Sequence, residues 1–252
     1  MKRTVKKSKG TETTIYDIGK SDAPEKPSEH RQAKKRNEKR NVGSAPGEKE
    51  PLGLRIIGGK FRKSKLKYVG DNRVRPMKDR VREAVFNLIG PDIKGMHAID
   101  LFGGTGAIAI EAISRGAISA TIIELHLPTA ALLKQNLEML NLLPSSDLRT
   151  ATDRVPVCRL YKTDTFFWVK NEEDHPPKDV PWIIFCSPPY DFYVSRQAEM
   201  LEMLDRLVAL APAGSIFVIE TDERFDMSLL PIAPPENRIR SYPPAVIAIF
   251  YK

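Results

Sequence analysis

Cysteine is almost missing from this sequence. Of its 252 residues only Cys158 and Cys186 carry thiols, each inside an apolar stretch. That placement suits buried free thiols and argues against a disulfide framework or a cysteine metal site. Histidine is scarce too, and His30, His97, His126 and His175 show no ligand spacing, so no metal is expected. No apolar run approaches the roughly 20 residues that a membrane span needs, which leaves membrane insertion out. The opening Met-Lys-Arg is not followed by the apolar segment of a secretion signal, and a reducing cytoplasm is the expected location. No internal repeat is found.

Positive charge is what the chain has in excess, and it is unevenly spread. The formal net charge is +8; residues 1–50 carry 14 Lys/Arg against 8 Asp/Glu, residues 51–82 carry 11 against 2, and residues 83–252 carry 15 against 22. A basic arm is joined to an acidic body. Polyanions suit such an arm, because each Lys or Arg laid on a phosphate releases a condensed counterion. For residues 1–50 a solvated tail that only aids solubility is an equally good reading, since apolar periodicity is missing there. The length allows one α/β domain of roughly 150 to 200 residues with appendages. We expect a basic tail over 1–50, a basic hairpin and helix over 51–90, and the main domain over 91–252.

From Leu54 the texture changes. Leu54-Arg-Ile-Ile-Gly-Gly-Lys-Phe-Arg62 and then Lys65-Leu-Lys-Tyr68 alternate apolar and basic residues, which predicts a short basic hairpin around Gly58-Gly59 with a wet charged face. Val81, Val85, Phe86, Leu88 and Ile89 recur at helical spacing up to the stop at Gly90-Pro91. Beyond this, strand, turn and helix repeat. Apolar runs begin at His97, Ala120, Val157, Trp182 and Ser215, with helices expected over 107–115, 128–140 and 195–210. Strands alternating with helices predict a doubly wound, mostly parallel sheet covered on both faces. The last two runs, from Arg238 and from Ala245, are separated only by Pro243-Pro244 and predict an antiparallel hairpin at one sheet edge. Polar inserts over 144–156 and 171–181 read as surface loops.

The first strand-to-helix turn reads Asp100-Leu-Phe-Gly-Gly-Thr-Gly106. In doubly wound sheets this turn helps to build the ligand crevice, and its glycines let backbone approach a ligand closely. A Gly-x-Gly is weak alone, but Glu124 ends the next run 18 residues after Gly106, where a carboxylate can accept both ribose hydroxyls of an adenosine. That suits NAD or S-adenosyl-L-methionine. Asp100 tips the balance toward the second, because a carboxylate there repels a diphosphate and suits a sulfonium and an ammonium. The plainer alternative is a tight turn with Glu124 as a solvated strand end.

The fourth apolar run ends in Ser187-Pro-Pro-Tyr190. Pro188 and Pro189 stiffen the backbone, so a carbonyl can be held ready before a ligand arrives. Methyl transfer to an exocyclic amino group needs such acceptors. Ser187 Oγ and the Pro188 carbonyl can take its N–H groups, while Tyr190 offers a face on which a splayed-out base can stack. No strong general base is required, because the alkylated nitrogen is acidic; positioning carries the chemistry. Standing alone, the segment would read as a proline-rich turn with a packed tyrosine. Phe192 and Tyr193 read first as core.

From about Leu54 to the C-terminus, roughly 200 of the 252 residues, the chain resembles the RsmD family of bacterial 16S ribosomal RNA guanine-N2 methyltransferases. The residues that carry the resemblance are Leu54 to Arg62, the Arg75-Pro-x-x-Asp-Arg-Val-Arg-Glu-Ala-Val-Phe-Asn87 stretch, the Asp100 to Gly106 turn with Glu111-Ala and Ser114-Arg-Gly-Ala117, Glu124, and the Pro-Pro-Tyr turn. The resemblance implies a Rossmann-like class I fold using S-adenosyl-L-methionine. It further implies that Asp100, Phe102, Gly104, Gly106, Glu124, Asp164 and Phe86 hold or line the cofactor, and that Ser187, Pro188, Pro189 and Tyr190 hold the base. Ribosomal RNA of the small subunit would be gripped by Arg55, Lys60, Arg62, Lys63, Lys65, Arg75 and Arg80, by a protein acting as a monomer. Two positions depart from the family, which usually has Asp or Asn at Ser187 and Thr at Met77. The serine keeps two other readings open: a DNA or RNA amino methyltransferase acting on cytosine N4 or adenine N6, and an RNA-binding or ribosome-assembly protein that keeps the fold without turnover. An NAD oxidoreductase ranks last, since no proton relay accompanies the turn.

Overall fold

The computed structural model describes residues 53–68, 70, 76–143, 157–176 and 178–252, all within one compact unit, Glu48–Lys252. The basic tail, Arg75 and the insert over 144–156 lie outside the described residues. In chain order the elements are α1 (Asp79–Ile89), β1 (His97–Asp100), α2 (Ala107–Arg115), β2 (Ser119–Ile123), α3 (Leu127–Met139), β3 (Val157–Tyr161), α4 (Thr165–Lys170), β4 (Trp182–Cys186), α5 (Phe192–Ser195), α6 (Gln197–Leu210), β5 (Ile216–Asp222), β6 (Ile239–Tyr242) and β7 (Ala245–Tyr251). Among the described residues no helix is long and apolar enough to cross a membrane.

One sheet of seven strands runs in the order β3-β2-β1-β4-β5-β7-β6. Strands β3 through β5 are mutually parallel, and β7 pairs antiparallel with both β5 and β6, so the expected hairpin closes the edge. Side chains alternate along each strand between two apolar layers. Ile183 and Phe185 of β4, with Ile216 and Val218 of β5, join the layer under α1, α2 and α3. Ile184 and Cys186, with Phe217 and Ile219, join the layer under α4, α5 and α6. A strand buried on both faces must be apolar throughout, which is why these runs carry no polar alternation.

Three local features refine the expectations. The basic segment is a hairpin too short to form two full strands: Arg55 bridges Lys65, and the N–H groups of Ile56, Lys63 and Leu66 donate across it to the carbonyls of Ser64, Ile56 and Leu54 at 2.9, 2.8 and 2.8 Å. Its tip bonds to a helix: the Ile57 and Gly58 N–H groups donate to the Glu111 carboxylate, each at 2.7 Å. The expected 195–210 helix is found as α6, and the non-helical backbone of Arg196 (φ −130°, ψ 30°) separates it from the short α5. A further helix, α4, starts where no helix was expected; Asp164 caps it by accepting from the N–H groups of Phe166 and Phe167.

Candidate active site

The strand order reverses between β1 and β4: the chain runs outward from β1 through β2 to β3, then returns to pair β4 on the other side of β1. The crevice beyond the carboxyl ends of these two strands is the topological switch point. Asp100 is in register with Phe185, and the Leu101 N–H donates to the Phe185 carbonyl at 3.0 Å. The glycine turn leaves β1 here and the Ser187-Pro-Pro-Tyr190 turn leaves β4 beside it. The two constellations singled out in the sequence therefore share one rim of the sheet.

On the β1 side, the turn is cinched by Gly106 N–H to the Gly103 carbonyl at 2.7 Å and Gly103 N–H to the Ile123 carbonyl at 2.8 Å. Gly106 has φ +80° as it opens α2, a conformation that favours glycine. Glu124 closes the turn from the next strand: one carboxylate oxygen accepts the Gly104 N–H at 2.8 Å and the other the His126 N–H at 2.7 Å. Each oxygen keeps further acceptor capacity. Asp164, following β3, spends Oδ1 on its two capping bonds. Phe102 is half-buried and meets Phe192 edge-on at 6.1 Å between centroids. Leu125, next to Glu124, is 62% exposed.

Asp100 differs from these. Its side chain is buried, and neither carboxylate oxygen has a hydrogen-bond partner. Burial pushes its pKa up to about 7, the nearby Glu124 adds to the rise, and the N–H groups of Phe102 and Ala109 only partly offset it. A buried carboxylate without donors is costly and invites an outside cation.

The β4 side is built the opposite way. Ser187 and Tyr190 are half-buried, Pro188 is buried and Pro189 exposed. The Tyr190 hydroxyl donates to Glu220 Oε1 at 2.8 Å, and the Ser187 hydroxyl beside that carboxylate favours its charged form. Glu220, near the end of β5, is buried; burial raises its pKa while the two hydroxyls pull it back. The sequence reading passed over Glu220. Its signal was available, since it ends an apolar run as Asp100 and Glu124 do, but only the β4–β5 pairing reveals its partner.

Other expected residues are placed elsewhere. Phe86 is 2% exposed, packed against Phe185 and beneath the Arg115 guanidinium; it is a core residue with little surface to offer a ligand. Lys60, Arg62, Lys63, Lys65 and Arg80 are exposed, and Arg55 is exposed while pairing with Asp79 at 3.2 Å. The loop carrying most of them is clasped to the body. Glu111, fully buried, also takes Arg115 Nε at 2.7 Å, and Ser114 Oγ donates to the Gly58 carbonyl at 2.5 Å. Buried Arg82 donates to the Arg55 carbonyl at 2.5 Å and to Asp79 at 3.0 Å. Gly59 has φ +70°, and a Cβ there would lie 1.8 Å from the Ser114 carbonyl oxygen.

Residues 54–234 match the family described as Conserved hypothetical protein 95. The ribosomal RNA small subunit methyltransferase D of Haemophilus influenzae is 30% identical over 184 residues, 73% of this chain and 84% of that protein. The protein of the same name from Buchnera aphidicola is 32% identical over 145 residues, 57% of this chain and 65% of that one. Among solved structures, yhhF of Escherichia coli, described as a candidate methyltransferase, aligns with a TM-score of 0.59 at 26% identity, covering 79% of this chain and 98% of that one.

Proposed function

The chain belongs to the RsmD family of methyltransferases, and from that premise we propose that it methylates the exocyclic N2 amino group of a guanine in small-subunit ribosomal RNA. The observation that carries this reading is the meeting, at one switch point, of an unsatisfied buried carboxylate and a ledge of acceptors on a stiff diproline turn. The first suits a cation and the second an amine. The residues fit S-adenosyl-L-methionine, which when bound supplies a methyl group made electrophilic by its sulfonium. Asp100 would face its positive charge, Glu124 would accept its ribose hydroxyls, and Asp164, Phe102 and Gly104 would line its remaining length.

The protein's task at the acceptor is positioning. Ser187 Oγ and the Pro188 carbonyl would accept the two amino hydrogens, turning the nitrogen lone pair out of conjugation and toward the methyl carbon. Tyr190 would support the ring by stacking. The nitrogen gains one carbon substituent and gives up one proton to water, so no strong base is called for. The exposed Arg55, Lys60, Arg62, Lys63, Lys65 and Arg80, together with Arg75, would hold phosphates. A cytoplasmic monomer without metal, with residues 51–90 gripping RNA and 91–252 performing the transfer, completes the proposal.

The test is mass spectrometry of small-subunit RNA nucleosides before and after incubation with the protein and a labelled methyl donor. N2-methylguanosine is the expected product. Label on adenine N6 or cytosine N4 would reassign the base, and calorimetric cofactor binding without any product would favour a non-catalytic RNA-binding role.

A further inference from the structure

Serine is an ambiguous choice for an amine-accepting ledge, because a hydroxyl carries one hydrogen and two lone pairs and rotates to suit its neighbour. A hydroxyl free to rotate could give its hydrogen to a base carbonyl as readily as accept from an amino group. The structure places an acceptor beside it. Cys186 of β4 is in register with Ile219 of β5, which brings the next residues, Ser187 and Glu220, level with each other. The Glu220 carboxylate accepts from Tyr190 Oη at 2.8 Å, and the Ser187 hydroxyl lies near enough to favour its charged form. An ionised carboxylate can only accept, so a hydroxyl level with it is drawn to turn its hydrogen that way.

We propose that Glu220 is a positioning residue that sets the polarity of the ledge: by taking the hydroxyl hydrogens of Ser187 and Tyr190, it leaves Ser187 Oγ presenting lone pairs alone, so that the site admits an N–H donor and refuses a carbonyl. This rests on the amino-methyltransferase reading above and deepens it, because it supplies the discrimination between the amino and keto edges of a base. The surroundings agree. Cys186 and Tyr193, which also interact with Glu220, are held neutral by burial, the first with its pKa pushed up to about 12 and the second well above its ordinary value. Asp100 acts on this corner only through Cys186. The hydroxyls of Ser187 and Tyr190 are thus what favours the ionised form of Glu220.

The test joins a mutant cycle to a reading independent of turnover. Glu220→Gln keeps the shape but offers the Ser187 hydroxyl an amide that can donate, and its kcat should fall roughly 10- to 100-fold with RNA KM and cofactor affinity within about 2-fold of wild type. Ser187→Asp makes an acceptor that needs no partner; in the Glu220→Gln background it should recover at least about 10-fold, whereas beside an intact Glu220 the two carboxylates repel and the rate should drop. Carbon-13 NMR titration of the Glu220 carboxyl should show its pKa rising in both Ser187→Ala and Tyr190→Phe, since each removes a donor to the charged form. Purely additive rate effects, or a Glu220 titration unmoved by either variant, would overturn the inference. A wild-type protein that binds cofactor but methylates no nucleotide would overturn the proposed function and the inference with it. An active wild type with an equally active Glu220→Gln would overturn the inference alone.

Discussion

Asp100 and Glu220 sit at the carboxyl ends of β1 and β5 with β4 between them, and both are buried with raised pKa values. They differ in company: Asp100 makes no hydrogen bond on either oxygen, while Glu220 accepts one from Tyr190, with the Ser187 hydroxyl also favouring its charged form. A buried charge left unserved is unstable until something arrives, and one already served stiffens its surroundings. The same residue class thus makes a socket on one side of the crevice and a strut on the other.

The sharpest way to break this comparison is pH. A carboxyl whose folded pKa stands near 7, against an ordinary value of 3.8, costs the folded state nothing below about pH 4. Its penalty grows through the interval and is complete above about pH 7, reaching on the order of 4 kcal/mol. The Tm of the cofactor-free protein should therefore fall between pH 4 and 7, and Asp100→Asn should flatten most of that fall. An equally steep profile in the variant would mean that Asp100 is not the unserved group. The next effect concerns the cation: Asp100→Asn should weaken S-adenosyl-L-methionine binding by about 2–3 kcal/mol, read by calorimetry at pH 8.

Smaller effects sharpen the contrast. Tyr190→Phe takes the hydrogen-bond donor from Glu220 and should lower stability at pH 8 by about 1–2 kcal/mol, recovered in the double variant with Glu220→Gln. Asp100 has no such partner to lose. Smallest per residue is the loop. Neutralising Arg62, Lys63 and Lys65 one at a time should each flatten the dependence of log RNA affinity on log salt by about 1, without changing cofactor affinity.

The sequence carried the layers and the neighbourhood of the two turns, because apolar runs that end in an acid or a proline mark buried strands and their exits. Asp100, Glu124 and Ser187 were legible for that reason. Short elements were not: the six residues of α4 are too few for helical periodicity, and its start depends on Asp164 turning back on its own backbone. The loop's true partner was hidden for another reason. Glu111 looks like any helical acid until 54 residues of separation from Ile57 are closed, and Glu220 likewise gains its meaning from the strand beside it.

The clasp of Glu111, Ser114 and Arg82 on the basic loop carries one consequence beyond stability. Since α2 both receives that loop at its last turns and begins at Gly106 beside the crevice, nine residues of rigid helix join the proposed grip on phosphates to the proposed point of reaction. An RNA seated on the loop as proposed would be measured from a fixed mark, and the nucleotide modified would then be chosen by reach, in the manner of a ruler, as much as by the shape of its base.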